Sequence, residues 1–190
     1  MFALDSSGSI DFREWEYTKA AARYILAIIN NVPDPNSIDT NKHKFGLVRF
    51  SSTETTTVIV NLGKHPTFAM NDKSIADLAK VGYLTDTFKA LTLCDTELRD
   101  KDPRLVWLFT DGLYTQGGNA GEKAEAMKKD GINICVAAVG LRAHMDAINK
   151  MASPIKISNT QNTTEKCVLN YQSFADLKYD AYSALQKVLS

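Results

Sequence analysis

The chain has 190 residues, and its 22 basic side chains balance 22 acidic ones. That even charge argues against nucleic acid or an anionic membrane as a partner. An apolar content of 44% and a charged content of 23% are ordinary for one globular domain with a sizeable core. No apolar run reaches the length of a membrane span, and the opening residues do not read as a signal peptide.

The first stretch, Phe2-Ala3-Leu4, is apolar and stops abruptly at Asp5, after which Ser6, Ser7, Gly8 and Ser9 follow. It reads as a buried strand that delivers a carboxylate and hydroxyls to one spot. Asp5, Ser7 and Ser9 alternate, so in an extended turn all three point the same way. Gly8 permits a tight bend. Hard oxygens of this kind suit Mg²⁺, Mn²⁺ or Ca²⁺ rather than Zn²⁺. A plain strand-to-helix turn with Ser9 as N-cap fits the stretch equally well. Only Met1–Leu4 precede Asp5, which is short for a central strand, so the sequence is expected to be clipped from a longer protein.

From Asp11 to Val32, apolar residues at Phe12, Trp15, Ala22, Ile25, Leu26, Ile29 and Val32 mark one face of a helix. Pro33 and Pro35 end it, and a polar loop runs to Lys42. Phe45–Phe50 and Thr53–Leu62 read as strands joined near Ser51-Ser52, an antiparallel hairpin with one edge strand. A short helix is expected over Ser74–Lys80, a loop over Val81–Thr87, and a helix through Phe88, Leu91, Cys94 and Leu98, with Asp95 off the pattern.

Leu105–Phe109 is wholly apolar and precedes Thr110-Asp111-Gly112, as a strand buried on both faces would. After a polar loop, Ala120–Lys129 reads as a helix stopped at Gly131. Ile132–Val139 reads as a second buried strand, and Ala143–Met151 as a short helix. Ser153–Lys166 reads as an irregular polar loop, Cys167–Tyr171 as a last strand, and the stretch carrying Phe174, Leu177, Ala181, Ala184, Leu185 and Val188 as a closing helix.

The three cysteines, Cys94, Cys135 and Cys167, are odd in number and widely spaced. They do not form a disulfide framework or a zinc motif by default. Cys135, inside an apolar run, reads as a small core residue. One bridge, or a partner cysteine upstream, stays open. Asn162-Thr163-Thr164 is a glycosylation sequon, which leans towards a secreted protein.

Strands alternating with helices imply an α/β fold: a doubly wound, mostly parallel central sheet with one antiparallel edge strand and helices on both faces. In the common doubly wound order the first and fourth strands are neighbours, and ligands bind at their carboxyl ends. Asp5 ends the first strand and Asp111 follows the fourth, so the two carboxylates converge where such a fold binds. Alone, Asp111-Gly112 would read as a turn.

Three motifs now stand in order: Asp5-Ser6-Ser7-Gly8-Ser9, Thr85 within Leu84–Leu91, and Thr110-Asp111-Gly112. Together they resemble the metal-ion-dependent adhesion site of von Willebrand factor type A (VWA) domains, the fold also found in the inserted domains of integrin α subunits. The strand Phe45–Ser52 resembles the family's second strand. The likeness runs from Phe2 to Leu189, so residues 1–190 are expected to form a single VWA domain of Rossmann-like architecture. It implies metal ligands at Asp5, Ser7, Ser9, Thr85 and Asp111, some direct and some through water. Two departures are the clipped first strand and Tyr83-Leu84, which replace the Gly-rich lead often seen before the Thr.

Two carboxylates and three hydroxyls would hold Mg²⁺ (or Mn²⁺ or Ca²⁺) and leave it electrophilic, with a position for exchangeable water. An Asp or Glu of a protein ligand could take that position. The resemblance thus implies a non-enzymatic module of cell or matrix adhesion, extracellular or at the cell surface, whose partner is a matrix protein or receptor. No nucleic acid partner and no direct membrane insertion are expected. An intracellular VWA scaffold in a multiprotein assembly is the alternative.

Enzyme motifs are missing: there is no Gly-x-Ser-x-Gly elbow, no phosphate-cradling Gly-Lys-Ser/Thr loop and no His-Glu-x-x-His. His43, His65 and His144 are scattered over element ends. A Mg²⁺-dependent phosphatase with Asp5 as nucleophile would want a second carboxylate two residues on, where this chain has Ser7.

Overall fold

Strand and helix periodicity place nearly every element in the computed structural model, which describes residues 1–30, 43–140, 143–158 and 161–170. Five helices and eight strands are formed among them. The central sheet joins β1 (Phe2–Asp5), β2 (Leu47–Phe50), β3 (Thr57–Val60), β4 (Leu105–Thr110), β5 (Asn133–Ala138) and β8 (Val168–Asn170). Its order is β3-β2-β1-β4-β5-β8. All pairs are parallel except β2 with β3, which is antiparallel and puts β3 at the edge. β1 and β4 are therefore neighbours, with Leu4 opposite Phe109, and the winding direction reverses between them.

Alternation along the strands sends side chains into two cores. Phe2, Leu4, Trp107, Phe109, Cys135 and Ala137 face α1 (Phe12–Asn30) and α2 (Phe68–Ala76). Met1, Ala3, Val48, Val106, Leu108, Ile134 and Val136 face α3 (Thr87–Leu98), α4 (Ala120–Lys129) and α5 (Met145–Met151). Asp95, off the apolar pattern of α3, pairs with Lys123 of α4 at 2.7 Å.

Several sequence expectations are corrected. The second helix spans Phe68–Ala76, not Ser74–Lys80, because Thr67 caps it: its hydroxyl accepts from Met70 N at 3.4 Å. Phe12 does not join the buried face of α1 and is 72% exposed. Ser9 is not the N-cap; Asp11 is. Asp11 and Glu14 close a reciprocal capping box, Glu14 N to Asp11 Oδ1 at 2.7 Å and Asp11 N to Glu14 Oε2 at 2.8 Å. The stretch read as an irregular loop forms a two-stranded antiparallel ribbon, β6 (Pro154–Ser158) with β7 (Gln161–Lys166). Cys135 is not a lone core residue but is disulfide-bonded to Cys167, tying β5 to the residue that leads into β8; Cys94 is free and buried. The polar loop to Lys42 and the closing helix lie outside the described residues.

Candidate metal centre

The site is built where β1 and β4 end side by side. Asp5 is the last residue of β1 and has no solvent exposure. Both of its carboxylate oxygens are held: Oδ1 accepts from Ser7 N at 3.0 Å, and Oδ2 accepts from the Thr110 hydroxyl at 2.8 Å. Thr110 also accepts from Gly112 N at 3.0 Å, so one side chain braces both strand ends. Asp111, half-buried, follows β4; its Oδ1 accepts from Leu113 N at 2.9 Å. Ser7 is buried, Ser9 is exposed, and their hydroxyls lie 3.1 Å apart.

Thr85, buried, enters from a loop pinned on both sides. Its N donates to the Thr115 hydroxyl at 3.0 Å, and its carbonyl accepts from Thr115 N and Gln116 N at 3.0 Å each. The same loop is laced to the Ser-rich turn, Gly82 N to Ser6 O and Gly8 N to Tyr83 O, each at 2.7 Å. A Cβ on Gly8 would stand 3.0 Å from Tyr83 O, so the close approach favours glycine there. Asp86 then caps α3, accepting from Lys89 N at 2.8 Å and from the Thr53 hydroxyl at 2.6 Å. Thr110, Thr115 and Asp86 brace the site, and sequence reasoning gave them no role. Only Asp86 carried a readable signal, an Asp opening an apolar helical run.

Burial pushes the Asp5 carboxyl up to about 7, the Ser7 hydrogen bonds oppose that, and the Asp111 charge adds to it. No described ion pair involves Asp5 or Asp111. The Lys80 ammonium sits behind the turn, donating to Ser7 O at 2.7 Å. A buried carboxylate facing a second carboxylate, with hydroxyls nearby and no paired base, is a donor set that fits a hard divalent cation. Asp5, Ser7, Ser9, Thr85 and Asp111 are the residues that would hold it. Among the described residues, no three His, Cys, Asp or Glu side chains gather to hold a metal, so this site stands on two carboxylates and hydroxyls.

An α/β sheet wound both ways, with an oxygen-rich site at its switch point, defines the class. The family model of the von Willebrand factor type A domain matches residues 1–182, and the chain belongs to that family. Compared with curated proteins, the sequence finds no match. Among solved structures it is similar to manganese-loaded Plasmodium vivax TRAP protein, with 19% identity and a TM-score of 0.70, over 97% of this chain and 70% of that one. It is also similar to proximal thread matrix protein 1 of the mussel byssus, solved with a zinc-occupied MIDAS motif (the family's adhesion site). There the identity is 19% and the TM-score 0.75, over 98% of this chain and 46% of that one. An aerotolerance-related membrane protein from Bacteroides fragilis shares the fold at 13% identity and a TM-score of 0.63, over 100% of this chain and 97% of that one.

Proposed function

We propose that this domain is a metal-dependent protein-binding module, in which Asp5, Ser7, Ser9, Thr85 and Asp111 hold a divalent cation that takes an acidic residue of a partner. The observation that carries the reading is the convergence of Asp5 and Asp111 at the ends of adjacent parallel strands, with Ser7 N on Asp5 and the Ser7 hydroxyl beside that of Ser9. The cation would supply Lewis acidity towards an incoming carboxylate. The chain's part is to hold its own oxygens in place: Thr110 and Ser7 N fix Asp5, Leu113 N fixes Asp111, and Thr115 with Gln116 fixes the Thr85 backbone. Such preorganisation lets binding proceed without rebuilding the site.

Mg²⁺ or Mn²⁺ is the proposed ion on the hardness of the donors. Zn²⁺ occupies the MIDAS motif of the mussel protein, which makes it the competing ion to test. The hydroxyl-rich set offers no evident base or nucleophile, so a non-enzymatic role is proposed. A cell-surface or extracellular setting, with a matrix protein or receptor as partner, is favoured by the Cys135–Cys167 disulfide, which is rare in the cytosol. Residues 1–190 are proposed to form one VWA domain. The reading is tested by thermal melting: millimolar Mn²⁺ should raise the midpoint above that in EDTA, the ion adding about 2.7 kcal/mol of stability at a hundredfold excess over the dissociation constant. Identical curves would count against a metal site.

A further inference from the structure

Lys80 is brought to the metal turn from behind. The end of α2 is tied to α1, where Lys19 Nζ donates to Ala76 O at 3.3 Å, and Ile75 and Leu78 are buried. The chain then runs back along the Ser-rich turn, with positive φ at both Gly82 and Tyr83 (+85° and +68°). Lys80 is half-buried and forms no ion pair among the described residues. Its ammonium goes instead to two carbonyls of the turn, Ser7 O at 2.7 Å and Ser6 O at 3.5 Å.

The two carbonyls are not held alike. Ser6 O also accepts from Gly82 N at 2.7 Å, and it shares a peptide with Ser7 N, which donates to Asp5 Oδ1 at 3.0 Å. In a planar trans peptide the N–H and C=O point in opposite directions, so Ser6 O is turned away from the Asp5 carboxylate. The next peptide is clamped differently. Its N–H, that of Gly8, donates to Tyr83 O at 2.7 Å, and among the described residues Lys80 is the only donor to its carbonyl, Ser7 O. It adjoins a glycine, whose backbone turns most freely. Without Lys80, one hydrogen bond opposes rotation of this peptide, and Ser7 O lies within the same residue as a candidate ligand hydroxyl.

We propose that Lys80 sets the ion selectivity of the metal centre: by occupying Ser7 O it withholds a backbone carbonyl that Ca²⁺ would recruit, and so favours a smaller, six-coordinate ion, Mg²⁺ or Mn²⁺. Ca²⁺ takes six to eight oxygens, backbone carbonyls among them, whereas Mg²⁺ takes six in near-octahedral array and keeps several waters. Carboxylates, hydroxyls and water suffice for six; a seventh or eighth oxygen has to come from elsewhere, and the backbone of the turn is the nearest source. A Ca²⁺ ion recruiting Ser7 O would have to displace an ammonium from it. This rests on the metal-dependent reading above. Lys80 is a positioning residue, since it acts through the Ser7 backbone.

Calorimetric titration of Mn²⁺ and of Ca²⁺ into the parent and into Lys80→Met gives the ratio of the two affinities in each. The ratio isolates the carbonyl. Removing a nearby ammonium favours any cation, but two divalent ions gain alike and the gain cancels. The parent should bind Mn²⁺ more tightly than Ca²⁺, and Lys80→Met should move the ratio towards Ca²⁺ by about tenfold, the scale on which residues that orient a metal's ligands act. Urea unfolding in EDTA checks that the variant is folded; Lys80→Ser, which also lacks the ammonium, replaces it if it is not. A parent without preference for Mn²⁺ overturns the role of Lys80 and leaves the metal reading standing. So does a ratio that is unchanged, or moved towards Mn²⁺, in the folded variant. A parent that binds neither ion overturns the metal reading and the role of Lys80 with it.

Discussion

Asp5→Asn separates what the carboxylate costs the metal-free fold from what it gives the metal. In the folded chain the carboxyl is pushed to about 7 from an ordinary value of 3.8. Its folded value is raised, so the native state holds a proton that the unfolded chain has already lost. Stability from this source is full below about pH 4, falls as pH rises, and is gone above about pH 7. The span is worth roughly 4 kcal/mol. Asparagine keeps the shape and lets Oδ1 still accept from Ser7 N. Its amide meets the Thr110 hydroxyl as donor to donor, and that hydroxyl must turn away at a cost of about 1 kcal/mol. In EDTA at pH 8, Asp5→Asn should therefore be about 2–3 kcal/mol more stable than the parent. At pH 4 it should be equal or slightly less stable. Urea unfolding at the two pH values reads the difference directly. With saturating Mn²⁺ at pH 8 the order should reverse, because only the parent gains from the ion. A variant that is destabilised equally at pH 4 and pH 8 in EDTA would refute a costly buried charge at Asp5.

Thr85→Ala removes a neutral oxygen that water can replace, so Mn²⁺ should still bind by calorimetry while capture of an acidic peptide weakens more; complete loss of the ion would make Thr85 a dominant ligand instead. Cys135→Ala with Cys167→Ala, whose parent bridge closes a separation of 32 residues, should lower stability by about 3 kcal/mol in urea while leaving Mn²⁺ affinity unchanged, since the bridge lies in β5 and before β8 rather than at the site. Equal stability would mean that the tie adds nothing to the packing of β8. Thr110→Val keeps the strand's shape but leaves Asp5 Oδ2 and Gly112 N without their shared partner, so it should cost about 1–3 kcal/mol. A neutral effect on melting would argue that the hydroxyl is not the brace described.

The sheet and its switch point were readable because their code is local. Leu105–Phe109 is apolar throughout, as a strand covered on both faces must be, and β1 breaks from apolar to Asp-Ser-Ser-Gly-Ser within one residue. Ser7 and Ser9 are proposed as ligands for the same reason, as hydroxyls on alternate residues after a strand end, whereas Thr85 enters only through the family resemblance. What escaped depends on partners distant in sequence. Thr110 looks like one more β-branched strand residue until β1 lies beside it and Asp5 Oδ2 meets its hydroxyl. The Cys135–Cys167 bond needs the parallel register that sets Val136 opposite Val168. Helix α2 starts earlier than its apolar pattern implies because Thr67, a weak cap in sequence, outweighs the better helix formers after Ser74. Phe12 has the spacing of a core residue, but it opens the first turn of α1 and stays exposed.

The central claim is that one divalent ion is held by Asp5 and its neighbours. Calorimetric titration of Mn²⁺ into the parent chain and into Asp5→Ala, at a pH above 7 where the carboxyl is ionised, tests it most directly. A single saturable site in the parent and none in the folded variant is the predicted result; equal binding by both would place the ion elsewhere and contradict the account.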